Sequence, residues 1–332
     1  MEAKCVTHHK FGIPREVLRI EHKTVQPPDD NDVLVRMLVR PINPSDLIPI
    51  RGSYSHRIEL PNIPGYEGVG IIEDVGANVS KGLIGKRVLP LRGEGTWQQF
   101  VRTSADFAVA IPDTIDATTA SQLYINPLTA WVICTEVLKL QSGDTVLVNA
   151  GGSSIGRVLA QLSRIIGFQL IAITRHDGYT KDLLRLGAAH VINTSEYPLF
   201  ETVMQITKGM GADGAIDSVG GPAGNELASC LRPAGHFLSI GLLSGVQINW
   251  KEIFDKKNIH AGLFHLRGWN KTVSKSTWQD TFNRLIAFIA DNKIEMMPAA
   301  FQYDLEQVAE AVRAVETSEY IGKAFLTSEG SV

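Results

Sequence analysis

The chain has 332 residues, 44% of them hydrophobic and 20% charged, with a net charge of -3. That length exceeds one small core and fits two domains, and the composition is that of a globular chain. No basic run invites nucleic acid or an anionic membrane surface, and no span of about eighteen apolar residues marks a membrane helix.

Residues Met1 to Lys10 lack the apolar core of a signal peptide, so the protein is expected in the cytoplasm. Cys5, Cys134 and Cys230 lie far apart in apolar neighbourhoods, as reduced core thiols do. The first third is rich in short β patterns. His8 and His9 fall in the first of them, where adjacent side chains point to opposite faces and cannot form a facing pair. The runs 32–40, 68–76, 85–91 and 97–102 alternate or are wholly apolar, each bounded by Gly, Pro, Asn or Asp. Such closely spaced strands predict an antiparallel, barrel-like domain. One helical turn is expected at Pro44–Ile48, capped by Asn43, with Pro44 at the first helical position.

From about Ile115 the pattern changes. Ala117 to Gln141 reads as helix in two pieces broken at Pro127. Strands near 145–149, 169–174, 189–193, 214–219 and 235–241 then alternate with helices at 155–166, 179–187, 197–209 and 223–231. Alternation with short connections predicts parallel strands and right-handed crossovers, hence a doubly wound sheet. After 246–250 a short helix leads to a strand at 259–266, and a long amphipathic helix follows at 275–290. A final strand, helix and strand at 299–303, 305–315 and 322–327 are expected to rejoin the first domain. The domains are therefore read as 1–122 completed by 267–332, and 123–266. The apolar pair 246–250 and 259–266 sits at the expected sheet edge and predicts a twofold partner, a homodimer. The alternative is that helix 275–290 covers that edge.

The stretch Val146 to Gly156 runs from an apolar, β-branched strand through a small-residue turn into a helix. Gly151, Ser153 and Gly156 occupy the three glycine places of a dinucleotide-binding turn, with serine in the middle one. A bare turn lets backbone N–H groups and the positive helix end approach a pyrophosphate, so Gly151, Gly152, Ser153, Ser154, Ile155 and Gly156 are candidate cofactor contacts. The plainer reading is a strand-to-helix connection with small residues for close packing. The next strand ends in Thr174-Arg175-His176-Asp177, where an NAD-binding chain places an acid for the ribose. Arg175 there suits a 2'-phosphate and favours NADPH. The alternative is that Arg175 is a solvated charge and Asp177 holds the ribose.

The order of motifs resembles the medium-chain dehydrogenase/reductase superfamily over essentially the whole chain. It rests on Gly65-Tyr-Glu-Gly-Val-Gly70, the turn at 150–156, Leu186-Gly-Ala188 and Gly211-Ala-Asp-Gly-Ala-Ile-Asp217. The resemblance implies a Rossmann domain beside a GroES-like, partly open β-barrel domain. Zinc members carry Cys where this chain has Asn43 and His where it has Tyr66, and a four-cysteine lobe that is absent here. No tight Cys/His constellation replaces them, so no metal is expected.

Within the zinc-free branch the chain is most similar to 2-enoyl thioester reductases, and next to quinone oxidoreductases. The residues behind this are Ile42-Asn-Pro-Ser-Asp46, Gly52-Ser-Tyr54, Glu59-Leu-Pro61, Gly95-Thr-Trp97 and Asn126-Pro-Leu-Thr-Ala130. The resemblance implies that Tyr54 is the proton donor, that Asn126 lines the nicotinamide end, and that Asn43 and Thr129 are cofactor contacts. It places Ile240, Gly241, Leu242, Leu243, Leu263, Phe264 and His265 on the nicotinamide side and assigns Lys323 to the cofactor. Reducing a double bond conjugated to a carbonyl needs a hydride at the β-carbon, a proton at the α-carbon and stabilisation of the enolate between them. A phenol stays protonated at neutral pH and can supply that proton.

Each residue has a plainer role open to it. Tyr54 would be a surface aromatic, Asn126 a helix breaker, Thr129 a cap, Trp97 a packing residue and Glu67 the holder of an arginine. The functional alternatives are a quinone reductase and a non-catalytic NADPH-binding protein.

Overall fold

The computed structural model describes residues 1–256, 258–317 and 321–328. The chain divides into two compact units, one of residues 1–125, 275–290 and 296–332, the other of 126–274 and 291–295. Residues 267–274 and 291–295 therefore go with the second unit, not with the first as expected, and 123–125 go with the first.

In the first unit β1 (Glu2–His8) and β2 (Leu18–Thr24) pair antiparallel as a ribbon of their own. His8 closes β1 and is buried, whereas His9 lies beyond it and is exposed. Next come β3 (Asp32–Pro41), β4 (Val69–Val75), β5 (Arg87–Pro90), β6 (Phe100–Ser104) and β7 (Ala108–Ala110). β3 is long because different parts of it serve different neighbours. Residues 32–36 pair with β6 while 33–39 pair with β4. Its alternate residues Val33, Val35 and Met37 join Ile72, Val88 and Val101 in one core, which the two-residue repeat of a half-buried strand requires.

The second unit is a six-stranded parallel sheet. Its strands are β8 (Thr145–Val148), β9 (Gln169–Thr174), β10 (His190–Asn193), β11 (Ala212–Asp217), β12 (Leu231–Ser239) and β13 (His260–Leu263). They lie in the order β10-β9-β8-β11-β12-β13 with every pair parallel. The chain thus runs outward one way from β8 and then back to the other side at β11. This is the doubly wound order, and its crevice opens at the carboxyl ends of β8 and β11. Leu147, Ile171, Ala215 and Phe237 are almost fully buried, as strands covered on both faces must be. Residues 246–249 form no strand, and Trp250 instead opens the helix Trp250–Lys256. The expected strand pair at this edge is therefore β13 alone, outermost in the sheet.

The chain returns to the first unit with β14 (Ala299–Asp304) and β15 (Lys323–Thr327), giving the order β14-β15-β3-β4-β5-β7 with β6 also on β3. Helix Lys275–Ala290 matches its predicted bounds. Trp278, Phe282 and Leu285 form its buried stripe, spaced as one helix face requires.

The segment around Pro127 departs from expectation. It is not a broken helix: a π-helical turn at Tyr124–Leu128 carries Pro127 inside it, followed by α-helix Thr129–Val132 and a second π turn, Ile133–Val137. Proline has no N–H and its ring crowds the carbonyl four residues back. A wider turn removes the clash and lets the helix pass through.

Candidate active site

The predicted dinucleotide turn occupies the carboxyl end of β8. Ala150 takes a left-handed conformation, φ 51°, and turns the chain sharply out of the strand. Each small residue then has its own steric reason. A Cβ on Gly151 would meet the Ala172 Cβ at 3.0 Å, on Gly152 the Tyr179 ring at 2.4 Å, and on Gly156 the Gly151 carbonyl oxygen at 2.2 Å. Gly156 therefore sets how closely the helix Ser154–Ile166 returns over the turn. The unexpected serine is also explained. Ser153 caps that helix, its Oγ accepting from the Gly156 N–H at 3.3 Å. Glycine could not do this, and the bare surface is supplied one residue earlier by Gly152. The remaining N–H groups of the first helical turn are the kind that receive an anion.

Gly156→Ala should therefore weaken dinucleotide binding at least tenfold without unfolding the sheet, since the new methyl must push helix and turn apart. Fluorescence titration with the reduced dinucleotide, alongside circular dichroism, checks this; unchanged affinity would mean that the turn does not hold the ligand.

Thr174 Oγ1 at the tip of β9 and Ser218 Oγ just past β11 are buried without a hydrogen-bond partner among the described residues. Buried hydroxyls rarely stay unpaired, so both fit a polar ligand lying across these strand ends. Arg175, His176 and Asp177 are exposed. The Arg175 carbonyl accepts from Ser195 Oγ at 2.6 Å, and His176 Nδ1 accepts from the Gly178 N–H at 3.3 Å, so the loop is pinned without using the Arg175 side chain. The expected nicotinamide-side segments also lie at strand ends. Ile240 donates its N–H to the Asp217 carbonyl at 2.8 Å, Leu243 to that of Ser218 at 3.1 Å, and Phe264 to that of Ser239 at 2.9 Å. A Cβ on Gly241 would stand 2.6 Å from the Ser218 carbonyl oxygen, and Leu242 follows in the same bend. Leu263 is exposed, and His265 precedes the helix Leu266–Thr272. Asn126 and Thr129 are half-buried on the π-turn segment.

Sequence reasoning missed the staple that holds this crevice open. Asp217 is fully buried, and one of its oxygens accepts from Asn149 Nδ2 at 2.6 Å and from the N–H of Val219 at 3.1 Å. The other accepts from Ser239 Oγ at 3.1 Å, and Asn149 Oδ1 accepts from the Ser218 N–H at 2.7 Å. One carboxylate thus ties the ends of β8, β11 and β12 together. The available signal was an acid closing an apolar strand, Ala215-Ile216-Asp217.

In the first unit Tyr54 stands at φ 66°, ψ 23°, left-handed for a non-glycine residue, after Gly52 at φ 99°. Its ring is half-buried, with the Arg57 guanidinium 5.1 Å from the ring centroid. The segment's far side is anchored by Asn62, whose N–H and carbonyl pair with His8 at 3.1 and 3.0 Å. Trp97 is wholly buried, in line with a packing role.

Beside it lies a buried polar cluster that the sequence reading did not assemble. Lys323 Nζ donates to Asn43 Oδ1 at 2.5 Å, and Asn43 Nδ2 donates to Glu67 Oε1 at 2.8 Å. Glu67 Oε2 accepts from the N–H groups of Tyr124 and Ile125 at 3.1 and 2.7 Å, and Asp46 accepts from those of Asn43 and Tyr66 at 2.7 and 3.2 Å. One expectation changes here: Glu67 holds an asparagine and two backbone amides, not an arginine. Asn43 and Lys323, both expected at the cofactor, are hydrogen-bonded to each other. Burial is the largest influence on all three ionisable groups. It pushes the Asp46 carboxyl up to about 7, raises Glu67 and lowers Lys323, while the Lys323 charge pulls both acids back down. The cluster does not fit a zinc ion: Asn43 and Tyr66 offer neither thiolate nor imidazole, and the Lys323 ammonium already supplies positive charge beside the carboxylates. Among the described residues no group of three or more His, Cys, Asp or Glu is placed to hold a metal ion.

A doubly wound dinucleotide-binding unit and a GroES-like unit, each with its polar cluster, define a class of two-part oxidoreductases. The alcohol dehydrogenase GroES-like domain family matches residues 29–113, and the zinc-binding dehydrogenase family matches 186–326. A mitochondrial enoyl-acyl-carrier-protein reductase of Xenopus tropicalis is 31% identical over 249 residues, covering 74% of this chain and 71% of its own. The enzyme of that name from Mus musculus is 28% identical over 331 residues, covering 98% and 88%. A solved structure from Bacillus thuringiensis, provisionally named an NADPH:quinone reductase, superposes with a TM-score of 0.97 at 62% identity over 99% of both chains. Escherichia coli quinone oxidoreductase complexed with NADPH superposes with a TM-score of 0.90 at 25% identity over 98% of this chain and 99% of its own. The chain belongs to the medium-chain dehydrogenase/reductase superfamily and is an oxidoreductase.

Proposed function

We propose that this protein uses NADPH to reduce the activated carbon-carbon double bond of 2-enoyl thioesters or related α,β-unsaturated carbonyl compounds, without a metal ion. When bound, NADPH supplies a hydride. The turn at Gly151 and Gly152 and the Ser153-capped helix receive its pyrophosphate, and Arg175 receives its 2'-phosphate. The Tyr54 hydroxyl gives its proton to the substrate's α-carbon. The observation that carries this reading is the backbone of Tyr54. A tyrosine held at φ 66° between anchored flanks costs roughly 1 kcal/mol or more, and strain of this kind collects at functional positions. The mitochondrial enoyl reductases among the relatives support the thioester as substrate.

A second reading, quinone reduction, is favoured by the name of the Bacillus thuringiensis protein. It needs hydride or electron delivery but no dedicated proton donor. Steady-state NADPH oxidation with crotonyl-coenzyme A, a simple enone and a quinone separates the two. The thioester is expected to be the best of the three, and a quinone far ahead of the others would overturn the first reading.

The cofactor part is tested apart from turnover. Arg175→Ala should weaken NADPH binding about tenfold or more and leave NADH nearly unchanged, because only NADPH carries the phosphate the guanidinium grips. Equal losses for both, measured by fluorescence titration, would place the 2'-phosphate elsewhere.

A further inference from the structure

A cavity of about 240 Å3 opens in the first unit, lined by the apolar Ile50, Ile58 and Pro64 and by the polar Asn62, Tyr66 and Tyr124. Two acids line it, and both are committed. Asp46 accepts two backbone N–H groups, and Glu94 accepts from Lys23 Nζ at 3.3 Å and the Arg102 N–H at 3.2 Å.

Arg92 is the cation among the lining residues, and it is exposed. Its guanidinium carbon stands 3.9 Å from the centroid of the Phe107 ring and 5.4 Å from that of the fully buried Trp278. No hydrogen bond or ion pair of its side chain occurs among the described residues. A guanidinium resting over aromatic rings keeps N–H groups for an anion, and the aromatic platform limits where the head group can go. Its backbone is also strained, at φ 62°. The next residue packs tightly: a Cβ on Gly93 would stand 2.3 Å from the Arg102 carbonyl oxygen. A left-handed arginine held this way marks a position where the side chain's direction matters.

We propose that Arg92 binds a phosphate of the substrate's carrier group, as in a phosphopantetheine thioester, while the uncharged part of that substrate occupies the adjoining cavity. This rests on the thioester reading above. A cavity lined by both apolar and polar groups suits the uncharged, amide-bearing chain of such a thioester, and the guanidinium beside it suits the phosphate that follows.

The test uses two thioesters of the same acyl group, crotonyl-coenzyme A and crotonyl-N-acetylcysteamine, the second without phosphate. Arg92→Gln should raise KM for the first about tenfold and leave KM for the second, KM for NADPH and both kcat values unchanged. An equal change for both thioesters, or none for the first, overturns the proposal. A raised KM for NADPH instead would assign the phosphate to the cofactor and also overturn it. Calorimetry with 4'-phosphopantetheine needs no turnover: binding to the wild type that is lost in Arg92→Gln supports the site, and equal binding to both refutes it. Should the wild type reduce neither thioester yet bind 4'-phosphopantetheine through Arg92, the substrate reading fails while the anion site stands.

Discussion

Tyr54→Phe is expected to lower kcat for an enoyl thioester by about a hundredfold or more, the range that a positioned proton donor contributes. The substitution removes one oxygen and nothing else. The ring, its contact with the Arg57 guanidinium and the left-handed backbone carry over to phenylalanine. NADPH affinity should therefore be unchanged, and so should quinone reduction, which requires no proton at carbon. This split separates a proton donor from a side chain that merely shapes the site. Thioester turnover that survives the change would remove Tyr54 from the chemistry. A loss shared equally by quinone and thioester would reduce it to a packing residue.

Lys323→Met should destabilise the first unit by about 3–5 kcal/mol at neutral pH, the cost of leaving buried charges without their partner. The loss should depend on pH in a definite direction. Without the ammonium, burial holds the Asp46 and Glu67 carboxyls further above their ordinary range in the folded state, whereas in the unfolded chain they ionise near pH 4. Above that pH the folded state binds more protons than the unfolded one. Stability must then fall as pH rises, by up to about 1.4 kcal/mol per unit for each acid until it ionises in the folded state as well. The wild type already carries a weaker version of this slope, because burial holds Asp46 up at about 7. Its stability from this group is greatest near pH 4 and declines toward pH 7. Thermal unfolding at pH 5 and pH 8 checks both statements. The variant's deficit should be small at the first and large at the second, and adding Glu67→Gln should recover part of it. A deficit equal at both pH values would mean that lost packing, not charge, is responsible.

Much of the parallel sheet was legible because its rules are local. A fully covered strand must be apolar throughout, a crossover helix must be amphipathic, and the turn between them must be small. Thr145–Val148, Ser154–Ile166 and Gln169–Thr174 show these properties residue by residue. Pro127 misled because a proline's local effect is to stop an α-helix, while a π turn was available to absorb it. Residues 246–250 misled because an apolar run of that length suits a strand or the entry to a buried helix equally well. At the active site, spacing identified the turn but not the reason for Ser153, which became plain only when its Oγ was seen capping the helix.

The sequence by itself determined the two-domain α/β class, the small-residue strand-to-helix turn at 150–156 and the superfamily, because each depends on residues close together in the chain. Only the tertiary structure brought Asn43, Glu67 and Lys323 into one buried cluster and joined Asn149, Asp217 and Ser239 across three strands. Lys323 meets Asn43 from 280 positions away, and no local pattern records that meeting. A buried polar group finds its partner wherever the fold brings one within hydrogen-bond reach, so such contacts are fixed by packing and not by sequence spacing.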